Sequence, residues 1–276
     1  MDGTQRDIGQ MRKLTVIAVC FFASLIGAAL IPTAMIPGMR TPRSLPYQSP
    51  SIEYQYTASL PDRLARIDDV QERKQYLIEI LLPLVLRGNE RVLQQRLIIE
   101  NLSKKLTYLT PLEKQTLISY ARMYMVESDS YQGMAQELLK KVNVLPVSLV
   151  LAQAAIESGW GTSRFCIQGN NIFGLRTPSR FGMVPRERRS DEDFTLSVFN
   201  DLQSCVDYYI WNINTNPQYK QLRYIRSLSQ PPYDSFALAQ GLRNYSELGI
   251  KYVRRVELLI SYNALKSYDD YRLEYE

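Results

Sequence analysis

From Pro61 to about residue 266, apolar residues recur three and four positions apart, and that spacing commits the chain to a mainly helical body. Between Asp62 and Leu86, the residues Leu64, Ile67, Val70, Leu77, Ile80, Leu81 and Leu84 fit one helical face, with Pro83 as a kink or boundary. Asn89 to Leu106 reads as a second helix, carrying Val92, Leu93, Leu97, Ile98 and Leu102. Thr110-Pro111-Leu112-Glu113 is a helix start: Thr110 caps, Pro111 takes the first turn and Glu113 sits three residues past the cap. That helix is expected to run to about Glu127, with others over 130–142, 146–158, 201–214, 234–242 and 249–266. One stretch breaks the pattern. Residues 171–199 contain Gly, Pro and short apolar strings, and Phe194-Thr195-Leu196-Ser197-Val198-Phe199 alternates in period two, a strand signal. The expected class is mainly α (α+β): a helical body with a small β-hairpin.

Upstream, Leu14 to Ile31 carries no charge, and its polar members are Thr15 and Ser24. A helix of this length can just span a hydrocarbon core, so 14–31 is expected to be an uncleaved membrane anchor. A cleaved signal peptide is the rival reading, since Ala28-Ala29 and Ala34 offer small residues. Arg6, Arg12 and Lys13 on one side, against Arg40 and Arg43 on the other, lean toward a cytoplasmic N-terminus. Residues 1–13 form a short tail, and 32–60, rich in Pro, Ser, Thr and Tyr, read as an extended linker. Residues 266–276, rich in Tyr, Asp and Glu, read as a fraying tail.

The chain has no histidine. Ser-His-Asp and Cys-His hydrolysis are therefore excluded within it, as are His-ligated zinc sites. Acid–base chemistry near neutral pH falls to carboxylates, Tyr, Lys or Cys; no metal or cofactor is expected. The net charge of +5 fits an anionic partner. No Lys/Arg run or zinc-finger spacing accompanies it, so nucleic acid is not expected among the partners. Cys20 lies in the apolar run; Cys166 and Cys205 either pair in an oxidising compartment or are small semi-buried thiols.

The most informative string runs from Leu145 to Trp160. Pro146 opens a helix, Leu149, Ala152, Gln153 and Ile156 line one face, and the alanines admit a close neighbour. Glu157 arrives on the last turn, before Ser-Gly-Trp-Gly. The helix C-terminal partial charge and apolar surroundings disfavour a carboxylate anion there, which suits a general acid; a surface Glu at a helix end is the plain alternative. The string Ala-Gln-Ala-Ala-Ile-Glu-Ser-Gly-Trp-Gly over 152–161, followed by Asn170-Asn171-Ile172-Phe173-Gly174, resembles the signature of the bacterial peptidoglycan N-acetylglucosaminidases, family 73 of the glycoside hydrolases. Leu77 to Leu86 with Asn89-Glu90 resembles the Bax-like branch of that family, extending the resemblance to about 62–265.

The resemblance implies a lysozyme-like helical lobe with a small β-hairpin lobe and a glycan cleft between them. It divides the body into a helical extension, 61–110, and a glucosaminidase domain, 111–265. It implies cleavage of the β-1,4 bond after N-acetylglucosamine, with Glu157 as proton donor. Asn244-Tyr245-Ser246-Glu247, then Gly249 and Tyr252, resembles the family's C-terminal motif, in which Tyr245 takes the place of a tyrosine facing the sugar at the cleavage point. Glycoside cleavage commonly needs a second carboxylate. Glu187, Asp191, Glu192 and Asp193 are candidates in the expected hairpin, Glu187 foremost; alternatively the substrate's acetamido group attacks, positioned by Tyr245. Trp160, Asn170, Asn171 and Phe173 are the expected substrate-binding residues, by ring stacking and amide hydrogen bonds. The expected partners are peptidoglycan glycan strands and, through residues 14–31, the inner membrane, with the catalytic domain in the periplasm. Two rivals stand beside this reading: a non-catalytic peptidoglycan-binding scaffold, and a lytic transglycosylase, which also uses one Glu. An amidase fits poorly, for want of histidine.

Overall fold

The computed structural model describes residues 49–177, 182–185 and 194–274. The expected anchor at 14–31 and Glu187, Asp191, Glu192 and Asp193 lie outside the described residues. Among the described residues no helix is long and apolar enough to cross a membrane. The chain divides into a main unit, 49–175 with 198–274, and a second unit containing Arg176–Ser197.

In the main unit a short helix α1 (Asp62–Arg66) precedes α2 (Val70–Ser103). Asp69 caps α2 by accepting the Glu72 N–H at 2.7 Å. Of the two expectations for Pro83, a kink or a boundary, the boundary does not occur, nor does a separate helix begin at Asn89: α2 is one helix of 34 residues with Pro83 inside it. A proline in a helix interior costs about 3 kcal/mol. Leu77, Ile78, Leu81, Leu82, Leu84 and Val85 are all buried around it. Each contributes about 1.5–3 kcal/mol of burial, so packing outweighs local preference. α2 packs on α4 (Tyr131–Lys141), α5 (Val147–Ser158) and α7 (Leu202–Thr215). At Gly88 a Cβ would lie 2.7 Å from Ile210 Cδ1, so glycine sets how closely α2 and α7 approach.

The helix start at Thr110 is borne out: α3 (Pro111–Met123) opens with a full capping box, Thr110 and Glu113 each satisfying the other's backbone N–H. It ends at Met123, short of the expected Glu127. The short α6 (Arg164–Gly169) and α8 (Lys220–Ser227) lie outside the expected helices. α9 (Ser235–Ala239) and α10 (Ile250–Tyr262) complete the unit. α5 sits at its centre, with Val147 to Ala155 all buried.

The second half of the expected linker and most of the expected fraying tail belong to the fold. β1 (Ser51–Ile52) pairs in parallel with β4 (Arg272–Leu273), through Arg272 N–H to Pro50 O and Glu274 N–H to Ile52 O, both 2.9 Å. Ser51 adds a hydrogen bond to Glu274. Such a pairing joins positions more than 200 residues apart, which no local pattern encodes.

In the second unit β2 (Arg176–Thr177) pairs antiparallel with β3 (Thr195–Leu196), and Met183 bridges to Leu196. This is the hairpin expected within 171–199, with shorter strands. A Cβ at Gly182 would lie 2.1 Å from Thr195 Oγ1, so only glycine fits beside that strand. Arg176 lies over the Phe194 ring, 4.1 Å from its centroid. Cys166 and Cys205 are free, buried thiols of the main unit, and burial pushes Cys166 up to about 12. The pairing alternative is not the one the structure adopts.

Candidate active site

The site begins at the C-terminus of α5. Gly159 stops the helix in the left-handed region, φ 58°, and its N–H and that of Trp160 return to Ile156 O and Ala155 O. This is a Schellman closure, and it satisfies the carbonyls around Glu157. Ser158 donates to Ala154 O at 2.6 Å and accepts the Gly161 N–H at 2.9 Å. Trp160 and Gly161 also have positive φ, 58° and 81°. A left-handed non-glycine residue costs about 1–2 kcal/mol. The turn is held by tight packing: a Cβ on Gly161 would lie 2.4 Å from Leu64 Cδ2 of α1. Trp160 is half-buried, and the Lys74 ammonium lies over its ring at 5.1 Å. One face of the expected stacking residue is thus taken by α2.

Glu157 is half-buried and accepts a hydrogen bond at Oε1 from the Tyr252 hydroxyl, 2.7 Å away. The Tyr252 oxygen in turn accepts from Gln153 Nε2 at 3.0 Å, and Gln153 Oε1 accepts from the Tyr209 hydroxyl. Three helices supply this chain: Gln153 and Glu157 from α5, four residues apart and so on one face, Tyr252 from the first turn of α10, and Tyr209 from α7. Gly249, at φ 55° and ψ −121°, starts α10 in a conformation suited to glycine and so sets Tyr252 on that first turn. Tyr245 stacks on Tyr252 with ring centroids 5.3 Å apart and an angle of 10°, and Tyr219 lies 5.9 Å from Tyr245.

The electrostatics are consistent with this picture. Burial first, then the neighbouring charge of Glu157, raises the phenol of Tyr252 far above its ordinary value. Tyr245 and Tyr209 are also raised, by burial first and with Glu157 contributing. Burial pushes Tyr219 up to about 12, again with a contribution from Glu157. All four phenols stay protonated at neutral pH and face one carboxylate as neutral dipoles.

The Asn-Asn-Ile-Phe-Gly string forms the facing loop. Asn171 is buried, with Nδ2 donating to Leu175 O at 2.9 Å and Oδ1 accepting the Leu175 N–H at 2.8 Å. Asn170 donates from Nδ2 to Phe199 O at 3.1 Å. The Phe173 ring is 1% exposed and stacks on Tyr209 at 3.9 Å and 15°. These geometries give Asn171 the backbone-holding role and make Phe173 a core residue rather than a sugar platform. The Phe173 carbonyl accepts the Tyr245 hydroxyl at 2.8 Å, tying the C-terminal motif to this loop. Gly174 follows at φ 62°, where a Cβ would lie 3.3 Å from Glu157 Oε2.

The fold thus gathers Glu157, Tyr245 and the 170–174 loop. The expectation about Glu187 concerns a residue outside the described ones. Gln153, Tyr209, Tyr252 and Gly174 were not among the expected functional residues. Gln153 carried a signal, a lone amide on an apolar helical face four residues before Glu157, and Tyr252 carried one as the end of the C-terminal motif; Tyr209 carried none that separated it from the chain's other tyrosines.

Comparison with known proteins bears on the same residues. Residues 132–265 match the Glucosaminidase family, described as mannosyl-glycoprotein endo-beta-N-acetylglucosaminidase. The chain is 28% identical to Protein bax of Escherichia coli (strain K12) over 206 residues, 71% of each chain. It is 48% identical to the exo-glucosaminidase LytG of Bacillus subtilis (strain 168) over 48 residues, 17% of each. The catalytic domain of the autolysin Auto from Listeria monocytogenes aligns with a TM-score of 0.36 and 16% identity, over 63% of this chain and 86% of that one.

Proposed function

On the premise that residues 132–265 make this chain a glucosaminidase-family glycoside hydrolase, we propose that it cleaves peptidoglycan at the β-1,4 bond following N-acetylglucosamine, within strands, with Glu157 as general acid. The observation that carries the assignment is the placement of Glu157. It is a half-buried carboxylate on the last turn of α5, hydrogen-bonded by Tyr252 and influencing four surrounding tyrosines. In the reaction the Glu157 carboxyl proton passes to the glycosidic oxygen, the C1–O bond breaks, and its electron pair leaves on that oxygen. Positive charge develops at C1, and either a second carboxylate, Glu187 foremost, or the substrate's acetamido group meets it; a water then forms the new C1–O bond, its proton is taken up by a carboxylate, and a reducing end results. Tyr245 belongs to the acetamido route: its proton goes to Phe173 O, so its oxygen is available as an acceptor. Trp160 and Asn170 are the remaining substrate-binding candidates. Residues 14–31 are proposed to tether the enzyme to the inner membrane, with the catalytic domain in the periplasm.

The test is digestion of purified peptidoglycan by a chain beginning at residue 49, with new ends identified by mass spectrometry. Reducing N-acetylglucosamine ends at internal positions are expected. Release from chain ends alone identifies an exo-enzyme, and anhydro-sugar ends a lytic transglycosylase. Glu157→Gln keeps the size of the side chain but cannot donate a proton, and a loss of at least about a hundredfold is expected. Wild-type digestion by that variant overturns the assignment.

A further inference from the structure

We propose that Tyr252 and Gln153 are positioning residues that fix which oxygen of Glu157 delivers the proton: Oε2, on the Gly174 side. The inference rests on the reading of Glu157 as general acid. An ionised carboxylate can only accept, so the Tyr252 hydroxyl must donate to Oε1. Its oxygen is then the acceptor for Gln153, which must present its N–H there. The Gln153 carbonyl is thereby turned toward Tyr209, whose hydroxyl donates to it. Every donor in the chain Tyr209–Gln153–Tyr252–Glu157 points the same way, toward Oε1.

That polarity decides where the acid proton can sit. A proton on Oε1 would meet the Tyr252 proton head to head. Relieving the clash would require Tyr252 to rotate away from its acceptor while still taking the Gln153 N–H. A proton on Oε2 leaves the whole chain intact. The backbone agrees: glycine at 174, in a left-handed conformation, keeps side-chain carbon away from Oε2, where a Cβ would lie 3.3 Å off.

The arrangement also has a catalytic consequence. As the O–H bond at Oε2 breaks and the glycosidic oxygen gains the proton, negative charge grows on Glu157. The Tyr252 hydrogen bond at Oε1 is strongest when that charge is complete, so it favours the transition state over the ground state. Because Gln153 and Tyr252 are buried in the core, the donor is preorganised and needs no rearrangement. The titratable groups facing Glu157 are Tyr252 from α10, Tyr245 from the loop before it, Tyr209 from α7 and Tyr219 from the turn after α7. These four, named among the described residues, are neutral phenols near neutral pH, and of them Tyr252 is the one that donates to Glu157.

The experiment uses the chain from residue 49 on soluble glycan strands, comparing wild type, Glu157→Gln, Tyr252→Phe and Gln153→Met. Each protein is checked for folding by circular dichroism. For Tyr252→Phe, kcat is expected to fall about tenfold or more with KM within about twofold, the pattern of a lost transition-state interaction. The basic limb of the pH–kcat/KM profile should move to higher pH, since losing a donor to the anion raises the pKa of the acid. Gln153→Met leaves Tyr252 in place but removes what orients it; a smaller kcat loss with a shift in the same direction is expected, and this variant decides the question if Tyr252→Phe does not fold. An unmoved pH profile in a folded variant, with Glu157→Gln inactive, overturns the positioning role and leaves the general acid standing. Full activity in Glu157→Gln overturns the general acid itself.

Discussion

At the scale of single residues, the site is shaped by glycines as much as by the groups that react. Gly174 holds φ 62° and keeps a Cβ from coming within 3.3 Å of Glu157 Oε2. Gly174→Ala should therefore lose activity out of proportion to stability. The left-handed backbone costs a side chain about 1–2 kcal/mol. That corresponds to a fall in melting temperature of about 2–4 °C per kcal/mol for a domain of this size. Activity should fall by more than about tenfold, because the methyl group would crowd Oε2, the oxygen proposed to pass the proton. Parallel melting and kinetic curves check this: equal, small losses in both would mean that Gly174 serves the turn alone. The identity of Glu157 as a candidate was legible in sequence, from its place before Ser-Gly-Trp-Gly. Its partners were not, because Tyr252, which touches it, lies 95 positions further along the chain, and Tyr209, which reaches it only through Gln153 and Tyr252, lies on a third helix.

At the scale of elements, α5 is governed from both ends. Its C-terminus closes at Gly159, and its N-terminus is capped from far away. Asp269 accepts the Ser148 N–H and hydroxyl, both at 2.8 Å. Asp269→Ala should cost about 1 kcal/mol, as for other lost caps, read as a lower denaturant midpoint. Asp269→Asn separates charge from shape. Burial, opposed by the Ser148 hydrogen bonds, raises the Asp269 carboxyl above its ordinary value. A raised folded-state pKa favours the protonated form in the fold, so this contribution is present below the unfolded pKa, about 3.9, and is lost as pH rises through the folded value. The stability of the wild type relative to Asp269→Asn is therefore expected to decline as pH rises from about 4. A difference that grows with pH in that window would show that the charge is favoured in the fold. Local sequence announced the start of α3, through its capping box, but not this cap, since no pattern near Ser148 points to residue 269.

At the scale of the whole molecule, the boundary of the folded unit lies earlier than composition suggests. β1 pairs with β4, Leu60 is 8% exposed, and Arg87 lies over the Tyr54 ring at 5.6 Å. A chain beginning at residue 49 should melt with one beginning at residue 41, and both should be active. A chain beginning at residue 61 loses the burial of Leu60, about 1.5–3 kcal/mol, the cation–π contact, about 0.5–1 kcal/mol, and the strand pairing. Its melting temperature should be several degrees lower, at about 2–4 °C per kcal/mol. Equal melting of all three chains would place 49–60 outside the cooperative unit.

The division between sequence and tertiary structure follows from the range of the forces involved. Periodicity, caps and turn glycines act within about four residues, and they were sufficient for the helical class, the start of α3 and the hairpin within 171–199, while Glu157 stood out through the resemblance of the strings over 152–174. What required the folded chain was the continuity of α2 through Pro83, the pairing of β1 with β4, the free state of the buried thiols and the ring of tyrosines. Burial of six apolar side chains outweighs one proline, and the hydrogen-bond chain from Tyr209 to Glu157 joins three helices. Neither a sum of distant burials nor the direction of a shared proton is written in any one segment; both exist only when the segments are packed together.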